Sequence, residues 1–448
     1  MAVEAYGVEP IPDELRTVGR RDLFAINFTF FLNPVMYVLG AIAVVGEGLP
    51  LPWAVAAAVA GQAIAYTCLI AAAQAGVDYG IPGQVAMRAS LGFWGARLLS
   101  SPYRVVASTY WFATQAIAGA LGLQAVFQAM TGRHLQLVPT ALALAAFQAL
   151  LAVLGFDVMR YVLRVVLPLS VALTAVLVGL YLASNDPRYD VGRVWHSPDQ
   201  HLTWAGFAAF VTVMAGASLT LVTNVSDICR YTPDRSDMRV ALAGSALLAA
   251  AVTTFVGGYA AAASGSTNPF VALVDLTSST PLLALLALAI VVQGIAANIT
   301  NTYTSGLSLV NAVPALGRLR ATLIVAAAAV ALSAFPSVVD HAQRWITHLG
   351  NVAAPLAGVI LADYLVVQRG RLDVPALFDP AGRYRYVNGV NAAAIAAVGA
   401  GVAVYYALPQ AWLKIAWGLG VAGASYLALR RVQALAGGRG VVPEVSRG

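Results

Sequence analysis

The chain of 448 residues is 60% hydrophobic and only 10% charged, a balance that excludes an ordinary soluble domain and makes a lipid bilayer its main solvent. Its formal charge of +6 comes from Arg residues scattered through polar breaks, not from a basic stripe, so no nucleic-acid partner is indicated. Two cysteines, Cys68 in an apolar run and Cys229 beside Arg230, exclude a disulfide framework and a Cys-rich metal site.

In chain order, residues 1–21 are polar and Pro-containing, without the basic and apolar pattern of a cleaved signal, and are expected to stay in the cytosol. Apolar runs near the ~20 residues that a hydrocarbon core requires then recur between short breaks. They lie near 22–45, 51–75, 103–131, 136–156, 162–184 and 203–226, then near 240–263, 281–312, 319–335, 345–367, 387–408 and 411–430. Blocks such as 240–263 show no alternation of polarity, so the spans are helices and not barrel strands. The expected fold class is all-α and integral to the membrane, with about twelve transmembrane helices. The chain divides into a cytoplasmic N-terminal segment (1–21), spans 1–5 (22–184), an extracytoplasmic loop (185–202), spans 6–10 (203–368), a cytoplasmic loop (369–386), spans 11–12 (387–430) and a cytoplasmic tail (431–448). On that layout 21 of the 26 basic residues are cytoplasmic, all but Arg133, Arg188, Arg193, Arg344 and Lys414, in the sense of the positive-inside rule. Both termini are therefore expected inside a multi-pass protein of the cell membrane.

Two spans carry polar or helix-breaking residues inside apolar runs: Asn27, Thr29, Asn33 and Pro34 in span 1, and Gly216, Ser218, Thr220, Thr223 and Asn224 in span 6. Pro34 removes a backbone donor and disfavours helix at Asn33, while Gly216 lowers helix stability. A kink explains either alone. The pairing, five spans apart, points instead to inverted repeats whose broken helices expose backbone at mid-membrane. In span 3, Trp111 and Gln115 are four residues apart on one face, an aromatic plate beside an amide that suits a flat heterocycle, or equally a packing Trp with a helix-bridging Gln. Span 8 adds Gln293, Asn298, Thr300, Asn301 and Thr302 to an otherwise apolar run, a set read as lining a hydrated cavity.

Signs of an enzyme are missing. The five His residues fall in breaks or near span ends without metal-ligand spacing, and neither an HExxH motif nor a Walker P-loop occurs, so no cofactor or ATP-driven chemistry is expected. A membrane enzyme is the competing class.

These residues resemble the nucleobase:cation symporter-1 family, the purine-cytosine permeases with their allantoin and hydantoin relatives. The likeness rests on Val8-Glu9-Pro10-Ile11-Pro12 with Arg16, on Asp78-Tyr-Gly-Ile-Pro82 with Gln84 and Arg88, and on Trp111 with Gln115. It continues through Asp227-Ile-Cys-Arg230-Tyr231, the stretch from Asn298 to Gly306, Ala354-Pro355-Leu-Ala-Gly358 with Asp363, and Gly389-Val-Asn391. The resemblance implies a leucine-transporter-like core of two inverted five-helix repeats plus two C-terminal helices, working by alternating access. It implies Trp111 as stacking platform, Gln115 and Asn301 as substrate hydrogen-bonders, and span 6 closing the other face near Ser218. Hydantoin-type members carry a second Trp where Ser218 aligns, so a smaller contact, such as Phe30 or Phe31, would take its place. Asp227 and Arg230, with Arg88, are read as topology, capping or gating residues.

The implied activity is cation-coupled import of a planar nitrogen heterocycle: cytosine, a purine base, allantoin or a hydantoin. A ligand-binding receptor or scaffold and an uncoupled facilitator are the alternatives. Sodium-coupled relatives use span 8 hydroxyls five and six positions before the substrate-contacting Asn, where this chain has Ile295 and Ala296. Sodium would be left with backbone carbonyls near Leu32 and Val292, or with Thr300 or Thr302 after a one-turn shift, so a proton is favoured as the coupling cation.

Overall fold

The computed structural model describes residues 6–153, 156–197, 200–340 and 342–436. The first five residues of the N-terminal segment, His341 and the tail beyond residue 436, with Arg439 and Arg447, lie outside the described residues.

Each of the twelve expected segments is occupied by a helix, and no strand forms among the described residues. Span 1 is two half-helices, Arg20–Phe31 and Pro34–Val45, bent by 57° at Leu32 and Asn33. Pro34 takes the first position of the second half, where its missing N–H costs nothing. Asn33 caps it: its Oδ1 accepts from the Met36 N–H at 3.0 Å while its Nδ2 donates to the Phe30 carbonyl at 2.7 Å, satisfying backbone on both sides of the break. Span 6 runs as Trp204–Leu219, turns through 220–224, and resumes as Val225–Cys229.

The opening in span 6 thus lies at 220–224 and not at Gly216, which remains helical. Gly216 serves a close approach instead: a Cβ on Gly350 would stand 2.9 Å from the Gly216 Cα, so the two glycines let spans 6 and 10 touch backbone to backbone. The helix yields where Thr220 turns its hydroxyl back onto the Ala217 carbonyl at 2.6 Å, in competition with the helical ladder.

The other spans are Leu51–Tyr79 (2), Ser101–Thr131 (3), Leu137–Ala152 (4), Phe156–Leu182 (5), Arg235–Ser264 (7), Thr280–Ala312 (8), Gly317–Leu332 (9), Ala342–Leu361 with a π-helical continuation Ala362–Val367 (10), Ala392–Ala407 (11) and Lys414–Ala436 (12). Among the described residues six helices are long and apolar enough to cross a bilayer, and the bent pair of span 1 makes a seventh; spans 4, 6 and 11 are shorter apolar helices. Spans 1, 2, 6 and 7 pack against one another, as do spans 3, 4, 8 and 9. Span 5 lies against spans 1 and 8, span 10 against span 6, and spans 11 and 12 against span 10. Large apolar side chains such as Leu98, Leu150 and Val165 point outward, the arrangement that lipid rather than water favours. The two broken helices therefore belong to one group of four, and the helix bearing Trp111 and Gln115 to the other.

Candidate functional site

Where the two groups meet, the breaks in spans 1 and 6 face the middles of spans 3 and 8. Gln115 on span 3 reaches the first break: its Oε1 accepts from the Val35 N–H at 3.4 Å, one of the donors that a helix N-terminus leaves without an intrahelical partner. Trp111, one turn earlier on the same face, is buried, and its Nε1–H has no acceptor among the described residues.

Span 3 contributes a third residue to this face. Arg104 lies seven positions before Trp111 and is fully buried, at 0% exposure. Its guanidinium donates to Asn301 Oδ1 at 3.3 Å, to Thr304 Oγ1 at 2.9 Å and to the Thr220 carbonyl at 3.4 Å. The last contact falls at the C-terminal end of the first half of span 6, where carbonyls lack helical partners and the helix dipole favours a cation. Arg104 therefore ties spans 3 and 8 to the second break. The positive-inside count takes it for a loop residue; the signal that places it in the site is its two-turn spacing from Trp111.

Asn301 thus joins the site, but the two other span 8 amides do not. Gln293 donates to Thr174 Oγ1 at 3.0 Å and to the Ser170 carbonyl at 3.4 Å, bonding span 8 to span 5. Asn298 donates to Gln148 Oε1 at 2.5 Å and to the Phe112 carbonyl at 3.2 Å, bonding span 8 to spans 4 and 3. Both act as interhelical ties rather than as the cavity lining expected of them, because buried amides in an apolar setting take the nearest helix as partner. Ser218 also turns away: its hydroxyl donates to Gln62 Oε1 on span 2 at 2.6 Å, so span 6 offers backbone at this point and not the side chain. Phe30 packs edge-to-face on Phe31 and, with Asn27, Asn224, Ile228 and Thr300, lines a narrow cavity between spans 1, 6 and 8.

Among the cation candidates, Leu32 sits in the break of span 1, while Val292 lies in unbroken helix, whose carbonyls serve the helical ladder. The Thr300 hydroxyl donates to the Ala296 carbonyl at 3.0 Å and the Thr302 hydroxyl to the Asn298 carbonyl at 2.8 Å. Asp227 accepts from the Gly83 N–H at 2.8 Å, and Arg230 donates to the Gly7 carbonyl at 2.9 Å and to the Tyr303 hydroxyl at 3.2 Å. Both are fully buried interlocks between segments, beyond the surface topology role that their positions suggest. On the short helix Gly83–Leu91, Arg88 donates to the Leu377 carbonyl at 2.9 Å and to Asn311 Oδ1 at 2.5 Å. Burial, then the neighbouring Arg97, push its guanidinium down to about 10, still cationic at neutral pH.

Residues 10–429 match the family described as permease for cytosine/purines, uracil, thiamine and allantoin. The hydantoin permease of Microbacterium maritypicum is 24% identical over 410 residues, covering 88% of this chain and 82% of that protein. The allantoin permease of Bacillus subtilis (strain 168) is 24% identical over 445 residues, covering 92% and 89%. Among solved structures, Mhp1, a nucleobase-cation-symport-1 family transporter in a closed conformation with bromovinylhydantoin bound, aligns with a TM-score of 0.81 at 21% identity over 97% of both chains. The inward-facing conformation of Mhp1 aligns with the same score of 0.81, over 97% of this chain and 96% of that one. The fold is shared with these transporters, in keeping with the leucine-transporter-like arrangement that the family resemblance implies.

Proposed function

The chain belongs to the family of permeases for cytosine/purines, uracil, thiamine and allantoin, and from that premise we propose that it imports a planar nitrogen heterocycle such as cytosine, a purine base, allantoin or a hydantoin by cation-coupled alternating access. It is a multi-pass membrane transporter and not an enzyme. The observation that supports the substrate reading most is a buried indole, Trp111, one helical turn from Gln115, which bonds the break of span 1, while Asn301 is joined through Arg104 to the break of span 6. An indole face stacks on a flat ring while amides pair with its heteroatoms. The likeness to a hydantoin permease and an allantoin permease supports the same substrate class.

Alternating access is supported by the division into two four-helix groups, with Arg104 and Gln115 bonded across their junction to the broken helices. The distribution of basic residues supports a place in the cell membrane with both termini in the cytoplasm. A proton is favoured over sodium as the coupling cation. Ile295 and Ala296 offer no side-chain oxygen where sodium-coupled relatives use hydroxyls. Uptake of a radiolabelled hydantoin into proteoliposomes under separately imposed sodium and proton gradients tests this choice. Stimulation by an inward proton gradient and collapse with a protonophore are expected; stimulation by sodium at fixed pH with no response to protons would reverse it.

A further inference from the structure

The hydrogen bonds around the site decide which way its amides face. An Asn or Gln amide has an accepting and a donating end, and a partner that can only donate fixes which end it receives. Arg104 is such a partner: a guanidinium carries donors and no acceptor, so Asn301 must turn Oδ1 toward it. The Val35 N–H does the same to Gln115, which must give Oε1. Each amide is left with its NH2 end, and no hydrogen bond from Gln115 Nε2 or Asn301 Nδ2 forms among the described residues. The two amides thus turn their donor ends away from the partners that fix them.

We propose that Arg104 is a positioning residue that holds Asn301 in its donor-out orientation, and that the site consequently selects heterocycles bearing ring carbonyls over their amino-substituted counterparts. The inference rests on the heterocycle-transport reading and narrows it. A carbonyl oxygen accepts from each NH2 end; an exocyclic amino group meets another donor and leaves both unpaired in an interior without water, which costs about tenfold or more in affinity per mismatched contact. The N–H groups of such a ring fall to backbone carbonyls at the two breaks, each of which keeps a second lone pair. The guanidinium also explains its own burial: its bonds to Asn301, Thr304 and the Thr220 carbonyl hold one site wall and the broken span together.

Isothermal titration of the purified full chain with hydantoin, uracil, cytosine, hypoxanthine and adenine tests the selectivity. Uracil is expected to bind at least about tenfold more tightly than cytosine, and hypoxanthine than adenine. Cytosine and adenine binding as tightly as their carbonyl partners would overturn the inference while leaving the transport reading intact. No binding by any of the five, nor by allantoin, would sink both. The positioning role is read from ratios, not from affinities. Arg104→Lys, again a donor without an acceptor, should preserve the uracil-to-cytosine ratio. Arg104→Gln, which can donate or accept, should free Asn301 to flip and shrink the ratio severalfold. A folded Arg104→Gln protein with lower affinity for every probe but an unchanged ratio would reduce Arg104 to a structural tie and contradict the proposal.

Discussion

Trp111 combines two properties that a purely structural indole rarely combines: it is buried, and its Nε1–H has no acceptor among the described residues. If its face is the platform for the substrate ring, Trp111→Ala should weaken hydantoin binding by about 1 kcal/mol or more, and Trp111→Phe, which keeps a ring face, by less. Titration of the two folded variants checks this; equal and unchanged affinities would remove the platform role. At this scale residue type and helical spacing single out Trp111, Gln115 and Asn301 in the sequence, and the structure brings Gln115 to the break of span 1 and Asn301 to Arg104. The sequence misled where a residue type has two common fates. Arg104 counts with the loop cations until its partners on spans 6 and 8 are known. Gln293, Asn298 and Ser218 are as polar as the site residues, yet their bonds run to spans 5, 4 and 2. Only three-dimensional partners separate an amide that binds ligand from one that joins helices.

The broken helices follow from local chemistry that the sequence shows directly in one case and obscures in the other. Asn33 followed by Pro34 is a cap and a first-turn proline, so span 1 can break only there. In span 6 the glycine was the poorer guide. Low helix propensity at Gly216 is overridden by the approach of Gly350, and the chain opens at the hydroxyl-rich turn that follows. A similar contact holds the second half of span 1 in place, since a Cβ on Gly257 of span 7 would overlap the Tyr37 carbonyl oxygen. Gly257→Ala should therefore destabilise the protein by roughly 1–3 kcal/mol or more, because the obstacle is backbone and cannot rotate away. Thermal unfolding of the detergent-solubilised variant would show this, and a melting profile equal to that of the unaltered chain would disprove the close approach.

Across the whole molecule, helix positions were readable from apolar run lengths, because a hydrocarbon core calls for long apolar segments, and spans 4, 6 and 11 are the shorter ones among the described residues. The grouping of spans 1, 2, 6 and 7 against spans 3, 4, 8 and 9 was not readable, since lipid-facing and helix-facing apolar residues look alike in sequence. On the proposed reading, Trp111, Gln115 and Asn301 lie on one group and the breaks on the other, so that a ligand held between them would be exposed to whichever side the groups part. The most direct test is uptake of radiolabelled hydantoin by the purified chain in sealed proteoliposomes under an imposed ion gradient, with Trp111→Ala alongside. The account predicts saturable accumulation above the external concentration, sharply reduced in the variant. Hydantoin binding without flux beyond that of protein-free liposomes would contradict it and leave a receptor built on a transporter's fold.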